Sequence, residues 1–158
     1  KEMKKISGKR NKTDADHEFL SKLEFLAGLY LVNDRVVLPA RMLAATFIKG
    51  AMKDKNGPEA KAGVFFAEHA KLKYNGPKDP EELYAAGDPF VFRTPVKVQR
   101  NTIIRTRPLF PEWKVCVKFD YDPTVISPDK IMLAWEKAGH VVGMGDWRPQ
   151  FGRFTVEE

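Results

Sequence analysis

The chain has 158 residues, 43% of them hydrophobic and 30% charged, and a formal net charge of +6. That length suits one domain with a core of its own, and that composition excludes a disordered or low-complexity chain. No apolar run approaches the roughly 20 residues that span a bilayer, and the excess of positive charge points to an anionic partner.

Lys1 to Lys12 reads as a basic arm, with Lys1, Lys4, Lys5, Lys9, Arg10 and Lys12 set against Glu2. Such an arm is expected to be solvated, or to grip phosphate. It lacks the apolar centre of a signal peptide, and the single cysteine allows no internal disulfide, so a cytoplasmic setting is expected. The chain opens on Lys1 rather than Met, and a first strand is expected upstream of it. Residues 13–158 are expected to form a single domain.

From Thr13 the pattern is helical. Asp14 and Asp16 suit the positive first turn, Phe19, Leu20, Leu23, Leu26 and Ala27 share a face, and Gly28 ends it. Leu29 to Val32 and Arg35 to Leu38 flank Asn33-Asp34, which predicts a tight hairpin. Pro39 opens a second helix with Met42, Leu43, Phe47, Ile48 and Met52 as its apolar stripe. Residues 53–63 read as a loop, 67–74 as a strand, and a further loop holds Gly76-Pro77 and Asp79-Pro80.

Between Phe90 and Pro111 long β-prone segments are interrupted by Pro95 and Pro108, which belong on sheet edges or in a projecting hairpin. The charged residues there, Arg93, Lys97, Arg100, Arg105 and Arg107, are all basic. With no acid nearby in sequence they repel one another unless solvated or neutralised by a partner, so the hairpin suits a phosphate clamp. Positive charge that keeps an edge hairpin soluble is the plainer explanation.

Trp113 to Tyr121 alternates as a strand and holds Cys116, expected to be a buried thiol. Ser127-Pro128 opens a helix with Ile131, Leu133, Ala134, Trp135 and Ala138 on or near its buried side, and Gly139 stops it. The glycine-rich run from Gly143 to Gly152 and a closing strand, residues 153–156, complete the chain. Strand, helix, loop and strand make half of a split βαβ unit, so the predicted class is α+β. The architecture expected is ferredoxin-like (RRM-like), with an inserted basic β-hairpin.

Catalytic signals are thin. His17, His69 and His140 are scattered, with no metal-ligand spacing and no Ser or Cys nucleophile motif beside them. No catalytic residue, metal or cofactor is therefore expected. A metal-independent ribonuclease using His17 or His140 is the one enzymatic alternative. Asp120 and Asp122 could hold Mg²⁺ but read more simply as turn formers before Pro123. The glycine-rich run is sharper. Gly143 and Gly145 allow positive φ and a close approach of backbone amides to phosphate, while Trp147, Phe151, Arg148 and Arg153 suit base stacking and backbone contact. The same residues also suit a tight turn with Trp147 and Phe151 in the core and Arg148 paired with an acid.

Two segments carry a family resemblance. Val36-Val-Leu-Pro-Ala-Arg-Met-Leu-Ala-Ala-Thr-Phe-Ile-Lys-Gly-Ala-Met resembles the Ile-Pro-Gly-Ser-Ser-Leu-Lys-Gly strand-to-helix passage of the RAMP superfamily, the RNA-binding subunits of CRISPR effector complexes. Gly143-x-Gly-x-x-Arg-x-x-x-Gly looks like their C-terminal glycine-rich loop, and the order and separation of the two motifs are similar. Ala40-Arg41 stands where those proteins carry Gly-Ser, and the chain is shorter than most of their backbone subunits. Its Gly-Asp-Trp-Arg-Pro ending also resembles that of small phage and prophage proteins. The resemblance implies an RRM-like fold and RNA-binding roles for Arg41 and Lys49 near the first motif, and for Arg148 and Arg153 near the second. It also implies self-association along RNA. The function expected is therefore binding of single-stranded nucleic acid, RNA favoured, with homo-oligomers or other protein subunits as further partners and no membrane. A phage-encoded assembly or anti-defence protein that binds protein is the alternative.

Overall fold

A computed structural model describes residues 2–157, with side chains from residue 4 onward. Helices and antiparallel strand pairs are mixed along the chain, an α+β composition. The residues cluster into two compact units. One takes the chain up to Val37 together with Lys71–Val115, the other Leu38–Ala70 together with the chain from Cys116 onward.

The first unit opens with a short helix, α1 (Glu2–Ser7), where a solvated arm is expected. Lys4 and Lys5 in its last turn face the negative end of the helix dipole, and Ile6 is half-buried. Helix α2 (Asp14–Ala27) starts at a full capping box. The Thr13 hydroxyl accepts from Asp16 N at 3.2 Å, and the Asp16 carboxylate accepts from Thr13 N at 3.1 Å. Lys9 pairs with Asp16 at 2.8 Å, and that bond, with the Thr13 amide, holds the Asp16 carboxyl below the usual carboxylate range. The fully buried residue of α2 is Phe25, outside the expected stripe, while Phe19 is exposed.

Strands β1 (Leu31–Val32) and β2 (Arg35–Leu38) form the expected hairpin around Asn33 and Asp34, whose φ angles of 49° and 56° suit a primed turn. They continue into a four-stranded sheet, ordered β1-β2-β4-β7, with β4 (Ala70–Lys73) and β7 (Lys114–Val115). The strand expected over 67–74 is thus shorter. The loop expected after it holds α5 (Pro80–Ala85), because the Asp79 side chain caps the amides of Glu81 and Glu82 at 2.9 and 3.0 Å. A separate ribbon, β5 (Val91–Val98) with β6 (Asn101–Pro108), turns at Gln99, φ 56°. Phe25, Leu83, Phe90 and Val91 form the core, lined by Tyr74, Tyr84 and Phe110. Burial there raises the Tyr74 hydroxyl above its ordinary pKa, against the pull of the Arg35 charge.

In the second unit Pro39 is the N-cap of α3 (Ala40–Met52) rather than its first residue, and the Ala40 amide donates to His69 Nδ1 at 3.0 Å. Part of the loop expected over 53–63 is helical, α4 (Gly57–Gly63). It leads into β3 (Val64–Phe65), which pairs with β8 (Asp120–Tyr121). Helix α6 (Pro128–Lys137) begins at Ser127 as expected, but Gly139 does not stop it. A π-helical turn, Ala138–Val142, runs through Gly139 and ends at Gly143. Leu133 on α6 is exposed rather than near the buried side. Helices α3 and α6 approach at Gly50, where a Cβ would lie 2.8 Å from the Ala138 Cβ and overlap the Ala134 carbonyl. Phe47, Phe66, Phe119 and Trp135 meet in one aromatic cluster, with Phe47 and Trp135 centroids 5.2 Å apart and Phe154 against Trp135 at 6.2 Å.

Two further expectations change. The strand read over Trp113–Tyr121 is two short pieces, β7 and β8, and Cys116 between them is exposed. Burial there still alternates: Val115, Val117 and Phe119 turn inward while Lys114, Cys116 and Lys118 face out. Period two puts the thiol on the lysine side. The closing strand expected over 153–156 is not formed: these residues carry no regular structure and pair with no strand among the described residues. Instead Phe154 N donates to Gly139 O at 3.3 Å.

Candidate nucleic-acid interface

The expected binding residues fall in both units, and each unit has its own geometry. In the first, the β5–β6 ribbon sets Arg93 opposite Thr106, Thr94 opposite Arg105, and Phe92 opposite Arg107. At this end the cations are not left to repel one another, because α2 brings two glutamates to them. Arg93 donates to Ser21 Oγ at 3.2 Å and to the Tyr84 hydroxyl at 3.0 Å, and pairs with Glu18 at 3.4 Å. Tyr84 in turn donates to Glu18. Arg105 pairs with Glu24, which also accepts from Thr106 N at 3.0 Å and lies 4.0 Å from Arg107. The buried Thr106 hydroxyl shares a 2.8 Å hydrogen bond with Ser21.

Three of the five basic residues therefore clamp the ribbon to α2. At the turn end Lys97 and Arg100 are exposed and enter no ion pair among the described residues, and Ile104 beside them is 68% exposed. The neutralising acids lie 75 and 81 residues away in sequence, from Glu18 to Arg93 and from Glu24 to Arg105, so no local pattern could have shown them.

In the second unit Arg41 and Lys49 are exposed on α3. The glycine-rich run folds into turns with φ of 73° at Gly143, 87° at Gly145, 53° at Trp147 and 76° at Gly152. Positive φ is ordinary for the glycines and strained for Trp147. A Cβ at Gly152 would overlap the Met144 carbonyl, and Met144 N donates to Gly152 O at 2.8 Å, closing the loop on itself. Trp147 is 38% exposed, with its ring tilted against Phe151 at 6.3 Å, and residues 146–150 all face solvent. Among the described residues Arg148 enters no ion pair. It donates to Gly145 O at 2.8 Å, while Arg153 donates to Pro149 O at 3.0 Å. Both guanidinium groups brace the loop through backbone carbonyls.

No family model, curated protein or solved structure matches the chain.

His17 and His140 are exposed and belong to different units. Asp122 serves its turn: one carboxylate oxygen accepts from Thr124 N at 2.9 Å and Thr124 Oγ1 at 2.6 Å, bonds that hold the carboxyl below its usual range. Among the described residues no group of three or more His, Cys, Asp or Glu is placed to hold a metal ion. Among them, too, no helix is long and apolar enough to cross a membrane.

Proposed function

We propose that the protein is a binding module for single-stranded nucleic acid, RNA ahead of DNA, with the glycine-rich loop as its principal contact. The observation that carries this reading is Trp147, 38% exposed in a glycine-rich loop that also carries Arg148 and Arg153, whose guanidinium groups donate to the carbonyls of Gly145 and Pro149. An exposed aromatic offers a stacking face to any unpaired base, and flanking guanidiniums supply phosphate contact. Lys97 and Arg100 at the ribbon turn, and Arg41 and Lys49 on α3, are further phosphate contacts in this proposal. An RRM-like, ferredoxin-like frame of the RAMP kind, a cytoplasmic setting and self-association along the strand belong to it as well. In favour of the frame are the passage from β2 through Pro39 into α3 and the glycine loop that follows α6.

Fluorescence anisotropy with labelled single-stranded RNA, single-stranded DNA and duplex DNA at low and moderate salt tests it. Salt-sensitive binding that prefers RNA is expected, with Trp147→Ala costing about 1–3 kcal/mol of affinity. Equal affinity for all three probes, or full affinity in the Trp147→Ala, Arg153→Ala variant, would refute it. A second reading, a phage-encoded assembly or anti-defence protein that binds protein, draws on Tyr30, Leu31 and Val32, three consecutive exposed apolar residues at edge strand β1. A complex with a protein partner that survives nuclease treatment favours it.

A further inference from the structure

One hydrogen bond fixes the geometry of the open edge at β1. Val37 N donates to Tyr30 O at 2.8 Å, so Tyr30 and Val37 form a hydrogen-bonded pair of the antiparallel ladder. Such pairs alternate with non-bonded ones, and Leu31, directly opposite Val36, belongs to the second kind. Its N–H and C=O therefore point away from β2. Strand β1 is the edge of its sheet, and neither group finds a hydrogen-bond partner among the described residues. Nor do the side chains blunt this edge. Tyr30, Leu31 and Val32 are 44%, 39% and 42% exposed, and residues 28–33 include no charged residue and no proline.

We infer that a second copy of this chain covers the edge, β1 pairing antiparallel with the partner's β1 about a two-fold axis at Leu31. A residue that turns both backbone groups outward is what a symmetric pair needs. Leu31 donates to the partner's Leu31 and accepts from it, so two bonds cross the axis. In that register Tyr30 faces the partner's Val32, an aromatic against a β-branched side chain, and the symmetry repeats the contact. Leu29 then faces the partner's Asn33 and Gly28 the partner's Asp34, so no charge meets its like. The hairpin thus supplies its own complement, which favours a second copy over a foreign strand. An uncharged run offers nothing to a phosphate backbone. The contact closes at two chains, unlike head-to-tail association along RNA, and it stands whether or not the binding-module reading does. Two short strands bury little surface, so the dimer is a weak one.

The test is sedimentation equilibrium of the whole, nuclease-treated chain from micromolar to near-millimolar concentration. The mass is expected to climb from 18.0 kDa toward about twice that, or 36 kDa, and to stop there. Leu31→Lys and Leu31→Glu each set like charges face to face across the axis, so each variant alone is expected to associate about tenfold more weakly or worse. Mixed in equal amounts they are expected to pair again, because lysine then faces glutamate. That rescue also shows that both variants fold. A parent that stays at the monomer mass throughout overturns the proposal, and so does association that appears only when RNA is added. Parent dimers that both variants retain place the contact elsewhere on the chain. Dimers lost in both variants and not restored by mixing refute the two-fold register at Leu31. A foreign protein captured through this edge by a monomeric parent gives the edge a different occupant and overturns the proposal as well.

Discussion

Glu24 holds together one end of the basic ribbon, and replacing it separates stability from charge. In Glu24→Ala the Thr106 amide, on a residue only 1% exposed, loses its acceptor, at about 1–3 kcal/mol for an orphaned buried donor. The Arg105 pair adds about 1 kcal/mol once its partial exposure is discounted, with side chains 37% and 18% accessible. The expected loss is therefore about 2–4 kcal/mol. Urea unfolding should show a midpoint lower by about 1–2 M at unchanged slope, and hydrogen exchange should speed up along β6 first. Glu24→Gln, which keeps an acceptor for Thr106 N, should lose about 1 kcal/mol. Both variants release Arg105 from its carboxylate and remove a negative charge from beside the ribbon, so affinity for RNA should rise as stability falls. A Glu24→Ala variant within about 0.5 kcal/mol of the parent would refute the clamp. So would a Glu24→Gln variant with weakened RNA binding.

Gly50→Ala favours the helix locally by about 1 kcal/mol yet forces a methyl into the α6 backbone, so a net loss of about 1–3 kcal/mol is expected in chemical denaturation. Cys116 should react with a thiol reagent such as dithionitrobenzoate under native conditions at a rate near that of the unfolded chain; protection would contradict its outward placement. Asp16 titrates below an ordinary carboxylate, because its charged form is hydrogen-bonded only when folded. Its contribution is thus fully present above the unfolded carboxylate pKa and disappears as pH falls through the lower folded value. A carboxyl NMR titration should place its midpoint under the reference of about 3.9, and Asp16→Asn should flatten the acid limb of the stability profile.

Local signals in the chain were legible where the cause is local. The Thr13 and Ser127 caps, the Asn33-Asp34 turn and the ribbon around Pro95 each rest on a few neighbouring residues. Helices α4 and α5 escaped notice because proline and glycine read as loop, although Pro58 and Pro80 sit in first turns, where the missing amide costs nothing. Cys116 belongs to a residue type that is usually buried and to an alternating run, but the parity of that run puts it on the lysine side. The acids that neutralise Arg93 and Arg105 come from a helix far back in the chain. Trp147 was legible as a candidate, but whether its ring packs inward depends on the turn geometry that four positive-φ residues impose.

The chain passes between its two units three times, after Val37, Ala70 and Val115. A fragment ending at residue 115 keeps every segment of the first unit but carries α3 and α4 as an insertion, with Phe47 deprived of Trp135 and Phe119. A fragment starting at residue 38 keeps the second unit whole and strands the basic ribbon without Glu18 and Glu24. Truncation mapping would therefore misreport this protein: the shorter piece would gather aggregating apolar surface, and the other would gain stray polyanion affinity from arginines that the intact chain keeps occupied.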